Sequence, residues 1–200
     1  MARVAPAVRS RQLVEAAREV LSREGVASTS LRAVAAEAGV PLGTMQYVFP
    51  TRESLLRAVI EDVVNEIDAV FADTEHTDAG LEPALRDGLR AFWNRLAGNR
   101  NLQVMQYELT TYALRTAGQE ELARWQYASY TRVVATWCAR AASSAGEVSA
   151  IPLDRLARIA VASVDGLILQ YVCDPDDARA DRDLETVIDT LVALAAPRPA

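Results

Sequence analysis

The sequence predicts an all-α protein of 200 residues, with a small N-terminal three-helix module, a long fourth helix and a larger helical body. Apolar residues recur at intervals of three and four along almost the whole chain, which is the pattern of amphipathic helices. Glycine and proline fall between these periodic stretches and mark the breaks. Runs of alternating β-branched residues, which would indicate strands, are lacking.

The first three helices are short and follow one another closely. The first is expected near residues 8–23. Ser30 is a suitable N-cap for the second, because its hydroxyl can accept a hydrogen bond from an unpaired backbone N–H. Gly39 stands where the chain must leave that helix in a left-handed conformation. A third helix, residues 42–48, follows at once. Because a seven-residue helix is not stable by propensity alone, this one is interpreted as presented to a partner, most often the major groove of DNA.

The remaining helices are longer and are separated by polar breaks. A fourth helix is expected near residues 52–73, followed by a polar loop at 74–80 that suits a domain boundary. Residues 174–177 are interpreted as an acidic loop, and residues 197–199 as a frayed tail. Five further helices are expected near residues 81–97, 102–116, 119–143, 153–173 and 183–195.

The charge of the chain is unevenly distributed. The formal net charge is −6. Residues 1–60 contain eight arginines and five glutamates, a net charge of +3, so the remainder carries −9. This distribution is expected if the basic N-terminal module contacts phosphate groups and the acidic body does not.

Composition also bears on location and redox chemistry. The chain lacks a run of eighteen apolar residues and an apolar N-terminal core, so we expect neither a membrane span nor a signal peptide, and a cytoplasmic location. Cys138 and Cys173 lie far apart in apolar helical stretches. They are interpreted as buried free thiols, with a redox pair as the alternative.

Eight side chains of the N-terminal module are candidates for contacting DNA. Gln46 is the candidate base reader, because its amide can both donate to and accept from adenine in the major groove. Leu42 is placed to contact a thymine methyl group. The other six carry hydroxyl or guanidinium groups that can bind phosphates: Arg9, Arg11, Arg32, Thr44, Tyr47 and Arg52. The alternative for each residue is an ordinary surface side chain.

These N-terminal motifs resemble the TetR family of bacterial transcriptional regulators. The resemblance runs from Arg9 to Val63 and includes the helix stop at Gly25, the segment TSLRAVAAEAGV, the recognition helix GTMQYVF and the opening TRESLL of the next helix. Gln46 departs from the tyrosine that many members carry there, which affects the expected base readout. The resemblance implies a helix-turn-helix DNA-binding domain at 1–55 and an effector-binding and dimerisation domain at 56–200.

The resemblance also implies an effector site in the body, where large aromatic side chains are concentrated. Aromatic walls with a few polar groups are the usual lining of a small-molecule site, and plain core packing is the alternative. Glu108 and Asp165 interrupt apolar helix faces, where a buried carboxylate is costly unless it is paired or used. The candidate ligand-binding residues are Trp93, Met105, Glu108, Leu109, Tyr112, Trp125, Tyr130, Trp137, Asp165 and Gln170.

The last two helices are candidates for a dimer interface. Each has an apolar face, and the first also carries small residues that allow close helix approach. In proteins that this chain resembles, these helices pair with their symmetry mates, as a palindromic operator requires. The candidate interface residues are Leu156, Ile159, Ser163, Leu167, Tyr171, Leu184, Val187, Ile188 and Leu191.

The function expected from these features is a ligand-responsive DNA-binding regulator, namely a repressor released from a palindromic operator by a small molecule. An activator, or a constitutive architectural regulator without effector, is the alternative within DNA binding. A helical ligand carrier whose N-terminal module contacts protein is the alternative from another class. An enzyme, a metal site and a cofactor are not expected, because His76 is the single histidine and no phosphate-binding glycine loop occurs. The effector and the operator cannot be derived from the sequence.

Overall fold

A computed structural model describes residues 5–74 and 79–200, and this part of the chain is helical almost throughout. The all-α prediction is confirmed. The helices are α1 Pro6–Glu24, α2 Leu31–Glu37, α3 Leu42–Val48, α4 Arg52–Ala72, α5 Leu81–Phe92, α6 Arg100–Arg115, α7 Glu120–Ala145, α8 Leu153–Cys173 and α9 Asp177–Ala195, and a π-helical turn, Trp93–Ala97, extends α5.

The N-terminal helices are bounded by the residues that the sequence indicates. Gly25 and Gly39 have φ angles of 78° and 64°, in the left-handed region where glycine carries no steric cost. Ser30 caps α2 by accepting a hydrogen bond of 3.2 Å from the N–H of Ala33. At the start of α4, the backbone N–H of Ser54 donates to the hydroxyl oxygen of Thr51 at 3.1 Å, and the N–H of Thr51 donates back to Ser54 at 3.3 Å.

The C-terminal part differs from expectation in two places. Helix α9 begins six residues earlier than the expected start at residue 183, because the Asp176 carboxylate accepts a hydrogen bond of 2.9 Å from the N–H of Arg179 and caps it. The tail is also ordered. Strands β1, Glu147–Val148, and β2, Arg198–Pro199, pair antiparallel, and the N–H of Ala200 donates to the carbonyl of Gly146 at 2.9 Å.

The chain divides into two compact units. Unit 1 comprises the chain up to Val63 together with Val104–Gln126, and unit 2 comprises Val64–Gln103 together with Tyr127–Ala200. The first unit therefore includes most of α6, which the expected division at residue 55 assigns to the body. The fully buried large side chains are Leu13, Leu21, Met45, Leu55, Leu56, Ile60, Met105 and Leu109 in unit 1, and Leu81, Leu85, Leu156 and Ile188 in unit 2.

Candidate nucleic-acid interface and effector region

Helix α3 has one buried side and one side that faces solvent. Met45 is fully buried, and Phe49, directly after the helix, is 6% exposed. These two side chains anchor α3 to unit 1, as the sequence predicts. Tyr47 is 88% exposed and Gln46 is also exposed. A tyrosine this exposed gains no burial inside the chain, so its ring and hydroxyl are available to a partner.

Other predicted DNA contacts surround this exposed side to different degrees. Thr44 and Leu42 are half-buried. Arg11 and Arg32 are exposed, and within residues 5–74 and 79–200 neither forms an ion pair. Arg9 is half-buried and donates to the side-chain oxygen of Gln12 at 2.7 Å. Arg11 and Arg32 are therefore the two predicted phosphate ligands with an uncommitted guanidinium.

Arg52 requires a correction. Its Nη2 donates to the backbone carbonyl of Val26, and its guanidinium carbon lies 4.6 Å from the ring centroid of Tyr112, a cation–π distance. The side chain is half-buried between the loop that follows α1 and helix α6. Its charge is already engaged inside unit 1, so the predicted phosphate contact is not the role that this geometry supports.

Glu108 also requires a correction. The sequence suggests a buried carboxylate, but Glu108 is exposed, and its Oε2 accepts a hydrogen bond of 2.8 Å from the N–H of Val26. A Cβ atom at Gly25 would lie 3.1 Å from the same oxygen. Both backbone polar groups of Val26 are thus bound by side chains, the N–H by Glu108 and the carbonyl by Arg52.

The other predicted effector residues of unit 1 are packed within that unit. Met105 and Leu109 are buried in the core, and the hydroxyl of Ser22 lies 3.9 Å from the sulfur of Met105. Trp125 is half-buried beneath Arg57, whose guanidinium carbon is 4.2 Å from its ring centroid. With Tyr112 beneath Arg52, these aromatic faces are occupied by arginine rather than directed into a cavity.

Within unit 2, two predicted effector residues lie beside a depression that is too small for a ligand. The rings of Trp93 and Tyr171 meet edge to face at 5.7 Å. Gln170 is exposed next to them. The depression between these side chains and α9 has a volume of about 10 Å³, roughly the space of one water molecule.

A larger groove runs between α7 and α8. Its volume is about 740 Å³, and Asp165 and Tyr127 contribute to its lining. The hydroxyl of Tyr127 donates to Asp165 at 2.9 Å, which gives that half-buried carboxylate a partner. Tyr130 packs edge to face against Tyr127 at 5.8 Å. Arg132, Arg158 and Asp154 also line the groove, so its walls carry both signs of charge.

Trp137, another predicted effector residue, packs against aromatic rings inside unit 2. It is 4% exposed and stacks on Phe71 with a centroid distance of 4.6 Å. Phe71 in turn stacks on Phe92 at 6.1 Å. Neither phenylalanine was predicted as a functional residue, because each is one more apolar residue on a helix face in the sequence. The contact joins residues 66 positions apart, and no local pattern indicates it.

Two family models match the chain. The model described as "Bacterial regulatory proteins, tetR family" matches residues 13–59. The model described as "Tetracyclin repressor-like, C-terminal domain" matches residues 78–194, more than half of the chain. The chain belongs to the tetR family of bacterial regulatory proteins. Members are transcriptional regulators, so the prediction of a DNA-binding regulator is confirmed and the carrier alternative falls away.

Similar proteins extend over nearly the whole chain. It is 25% identical over 187 residues to the HTH-type nicotine-responsive transcriptional repressor HdnoR of Paenarthrobacter nicotinovorans, which covers 94% of this chain and 95% of that protein. It is 27% identical to the multidrug binding protein EbrR complexed with imidazole, with a TM-score of 0.67 and coverage of 96% and 97%. A tetR-family regulator from Rhodococcus sp. shares the fold, with a TM-score of 0.79 at 18% identity and coverage of 94% and 99%.

The predicted dimer interface of this tetR-family chain is corrected at four of its nine positions. These four side chains are at most 4% exposed and belong to the core of unit 2, so they cannot also face a second copy: Leu156, Leu184, Ile188 and Leu191. The other five are half-buried: Ile159, Ser163, Leu167, Tyr171 and Val187. The predicted interface therefore includes residues on the sides of α8 and α9 that pack into the core of unit 2.

The outward face of α8 and α9 has little charge. Between residues 159 and 173 the one charged residue is Asp165, which accepts from Tyr127. Between residues 184 and 196 the charged residues are Glu185 and Asp189, which pair with Arg90 at 2.6 Å and Arg86 at 2.7 Å. Besides Gln170 and Asp189, the exposed residues from 159 to 173 and from 184 to 194 are small or apolar: Ala162, Gly166, Leu169, Cys173, Thr186, Thr190, Ala193 and Leu194. We call these eight residues the outer face.

Helix α8 is also long and apolar enough to cross a membrane by length and composition alone, and 33% of its most apolar window is buried. Packed helices of proteins that never enter a membrane pass the same test. Four of the unburied residues of α8 belong to the outer face: Ala162, Gly166, Leu169 and Cys173.

The two cysteines differ in their surroundings. Cys138 is buried, as predicted, and burial raises the pKa of its thiol to about 12. Cys173 is exposed, contrary to prediction. Across residues 5–74 and 79–200, His, Cys, Asp and Glu do not gather in a group of three that could hold a metal ion. His76 lies outside the described residues.

Proposed function

We propose that this tetR-family chain is a repressor that binds a palindromic operator as a homodimer and leaves it when a small molecule binds its C-terminal region. The observation that carries the proposal is the division of α3 into a buried side with Met45 and Phe49 and an exposed side with Gln46 and Tyr47. A short helix anchored in this way presents its polar residues to a groove. Such a protein acts where the bacterial chromosome lies, in the cytoplasm.

In this proposal, Gln46 contacts base edges and Tyr47 donates its hydroxyl to a phosphate oxygen. Exposed Arg11 and Arg32 neutralise phosphates on either side of the groove. Phosphate contacts set position and most of the affinity, whereas the amide of Gln46 supplies discrimination among bases.

The outer face is the proposed dimer interface. A palindromic operator needs two recognition helices about 34–36 Å apart, and a twofold dimer supplies them. The eight residues of the outer face are themselves uncharged and cost little to dehydrate, and Leu169 and Leu194, 47% and 37% exposed, would gain burial there.

An effector must bind the operator-bound and the released conformations with different affinity, and a coupling free energy of about 1–3 kcal/mol is typical. The names of HdnoR and EbrR state a response to nicotine and a binding of drugs, which supports a small-molecule effector by similarity. Glu108 and Arg52, which bind the backbone of Val26, are the proposed link between effector binding and DNA binding. Because Glu108 belongs to α6, a shift of α6 would carry the loop between α1 and α2 with it.

The test is an equilibrium binding titration of the purified protein on the DNA that flanks its own coding region, across a series of salt concentrations. We expect a specific complex whose affinity falls steeply with salt. Gln46→Ala and Tyr47→Ala should each weaken the complex by roughly five-fold or more, as expected for the loss of one good contact. Arg32→Ala should reduce the salt slope by about 1.

Arg140→Ala is the matched control, because Arg140 is an exposed arginine on α7 in unit 2. It should leave both affinity and salt slope unchanged. If the flanking DNA gives no complex, a selection from random sequences follows. Failure of that selection to enrich any duplex, or enrichment that is equal for wild type and Tyr47→Ala, overturns the proposal.

A further inference from the structure

Six exposed side chains of α8 lie along one side of the helix, because they recur at intervals of three and four residues. We call these six residues the α8 stripe: Arg155, Arg158, Ala162, Gly166, Leu169 and Cys173. The stripe begins with two arginines, continues with small and apolar residues, and is followed directly by the acidic segment 174–177. It is therefore basic at one end and acidic at the other.

The basic end carries guanidinium groups that no carboxylate of the chain neutralises. Within residues 5–74 and 79–200, neither Arg155 nor Arg158 forms an ion pair. Arg132 of α7 lines the same end of the groove between α7 and α8, together with Arg158 and Asp154. Arg132 donates to the hydroxyl of Ser129 at 3.2 Å. With three arginines and one aspartate, this end has a net charge of +2.

The acidic end carries carboxylates that stay accessible to a second cation. Residues 174–177 contain three aspartates and no basic residue. Asp174 pairs with Arg179 at 2.9 Å, yet its side chain remains 79% exposed. The hydroxyl of Tyr171 donates to Asp177 at 2.7 Å and holds that carboxylate beside the last turn of α8. With Arg179 included, this end has a net charge of −2.

Gly166 lies midway between the two ends, eight residues after Arg158 and eight before Asp174. No neighbouring atom lies within 4 Å of the position that a Cβ atom would take there, so packing inside the chain does not require a glycine. Glycine in a helix interior is unfavourable relative to alanine. A missing side chain at this exposed position is therefore best explained by the close approach of a backbone from outside the chain.

We propose that a second copy of this chain packs on the α8 stripe with its own α8 running in the opposite direction, so that Gly166 faces the partner's Gly166. Arg158 then meets the partner's Asp174, and the twofold axis repeats this contact at the other end. A parallel arrangement would place like charges opposite one another, which costs affinity. This inference rests on the proposed function, because it specifies how the dimer that the operator requires is assembled.

The first experiment measures the dimer dissociation constant by analytical ultracentrifugation at low salt. Arg158→Asp should weaken the dimer by about ten-fold or more, because it places like charges together at both ends of the interface. Asp174→Arg should weaken it similarly, and the double variant should return to within about three-fold of wild type, because the pair is restored with its signs exchanged. Arg140→Asp is the matched control, since Arg140 is exposed on α7 and outside both grooves. It should leave the dimer unchanged.

The second experiment uses Cys173 to determine the direction of the helices. Cys173 and Ile159 both lie seven residues from Gly166, on opposite sides of it. In the antiparallel register the two Cys173 residues are about 21 Å apart, too far for a disulfide, which needs Cα atoms within about 7 Å. Each instead faces the partner's Ile159.

Ile159→Cys should therefore form a covalent dimer on mild oxidation, whereas wild type should not. Ile159→Cys combined with Cys173→Ser should not form one either, because the new thiol then has no partner. Cys138 is buried and does not compete. A parallel pair predicts the reverse, with wild type crosslinked through Cys173. Non-reducing gels separate the two arrangements.

Four outcomes overturn the inference: charge reversals that leave the dimer unchanged, a double variant no tighter than the single ones, a covalent wild-type dimer, or no covalent dimer of Ile159→Cys. These outcomes are distinguishable from failure of the proposed function. A dimer that binds a specific operator and gives any of them loses this register but remains a repressor. A protein that is monomeric at operator-binding concentrations, or that has no specific operator, removes the proposed function as well.

Discussion

Helix α3 and the paired helices α8 and α9 were both predicted as interaction surfaces. Predicted contact residues such as Gln46 are exposed on α3, but several of those on α8 and α9 are buried. On α3, the anchor residues are buried and the proposed DNA-contacting residues Gln46 and Tyr47 are exposed. On α8 and α9, four of nine predicted interface residues are buried inside the chain. In a short helix with one anchored side, the opposite side is the one exposed to a partner. In a long amphipathic helix, the apolar stripe can pack either into the core or against a partner.

The largest expected effect distinguishes core residues of α8 and α9 from residues that face the proposed partner copy. Ile188 is fully buried, and Leu169 is 47% exposed on the outer face. Ile188→Asp should lower the free energy of unfolding by roughly 3 kcal/mol or more, because it buries an unpaired charge. Leu169→Asp should leave the folded chain intact but convert the dimer to monomer. Thermal melts and light scattering check the pair. A dimeric Leu169→Asp protein would place the interface elsewhere.

The next effect concerns the close approach at Gly88. Gly88→Ala should destabilise the protein by about 1–3 kcal/mol, because the new methyl group overlaps the indole of Trp137. Gly43→Ala, in α3 and outside the proposed dimer interface, is the control, since no neighbouring side chain lies within 4 Å of the position that its methyl group would take and alanine favours the helix by up to about 1 kcal/mol. Denaturant titrations should show opposite signs. Equal stabilisation by both substitutions would contradict the described position of Trp137.

Alkaline pH distinguishes the two thiols. Burial raises the pKa of Cys138 from 9.0 to about 12. Between these values the unfolded thiol ionises while the folded thiol stays protonated, so the free energy of unfolding should fall as pH rises, by at most about 1.4 kcal/mol per pH unit. The chain has no lysine to add its own titration there. Cys138→Ala should lose this component of the pH slope, and Cys173→Ser should keep it.

The smallest expected effect is at the α6 contact with Val26. Glu108→Gln retains an acceptor for the Val26 N–H and should change stability little. Glu108→Ala removes it and should cost less than about 1 kcal/mol, because the site is exposed and water can replace the carboxylate. Amide hydrogen exchange at Val26 measures this directly. Unchanged protection in Glu108→Ala would show that the hydrogen bond does not hold the loop.

These contrasts show which features a sequence reveals. The Ser30 cap, the turns at Gly25 and Gly39, and the extent of α3 depend on neighbouring residues, so all of them were predicted. The engagement of Glu108 by Val26 joins residues 82 positions apart. No local periodicity contains that information, and the sequence therefore suggested a buried carboxylate where the structure has an exposed, hydrogen-bonded one.

The remaining errors have a similar origin. Arg52 carries a phosphate-binding group at the right distance along the chain, but its orientation is set by Val26 and Tyr112. The tail was expected to fray because the last residues of a chain are usually poorly ordered, yet β2 pairs with β1 across about 50 residues. Helix-face assignments failed mainly on α9, where Leu184, Ile188 and Leu191 pack into the core and not against a partner. In each case a distant partner decides between two locally equivalent arrangements.

The most direct test of the account is the base preference of the protein and its α3 variants, measured by binding to operator duplexes with every single-base substitution. Wild type should prefer adenine at one symmetric position in each half-site. Gln46→Ala should lose that preference while keeping its salt slope, and Arg32→Ala should keep the preference while its salt slope falls by about 1. An identical preference profile in wild type and Gln46→Ala would show that the exposed side of α3 does not read the operator.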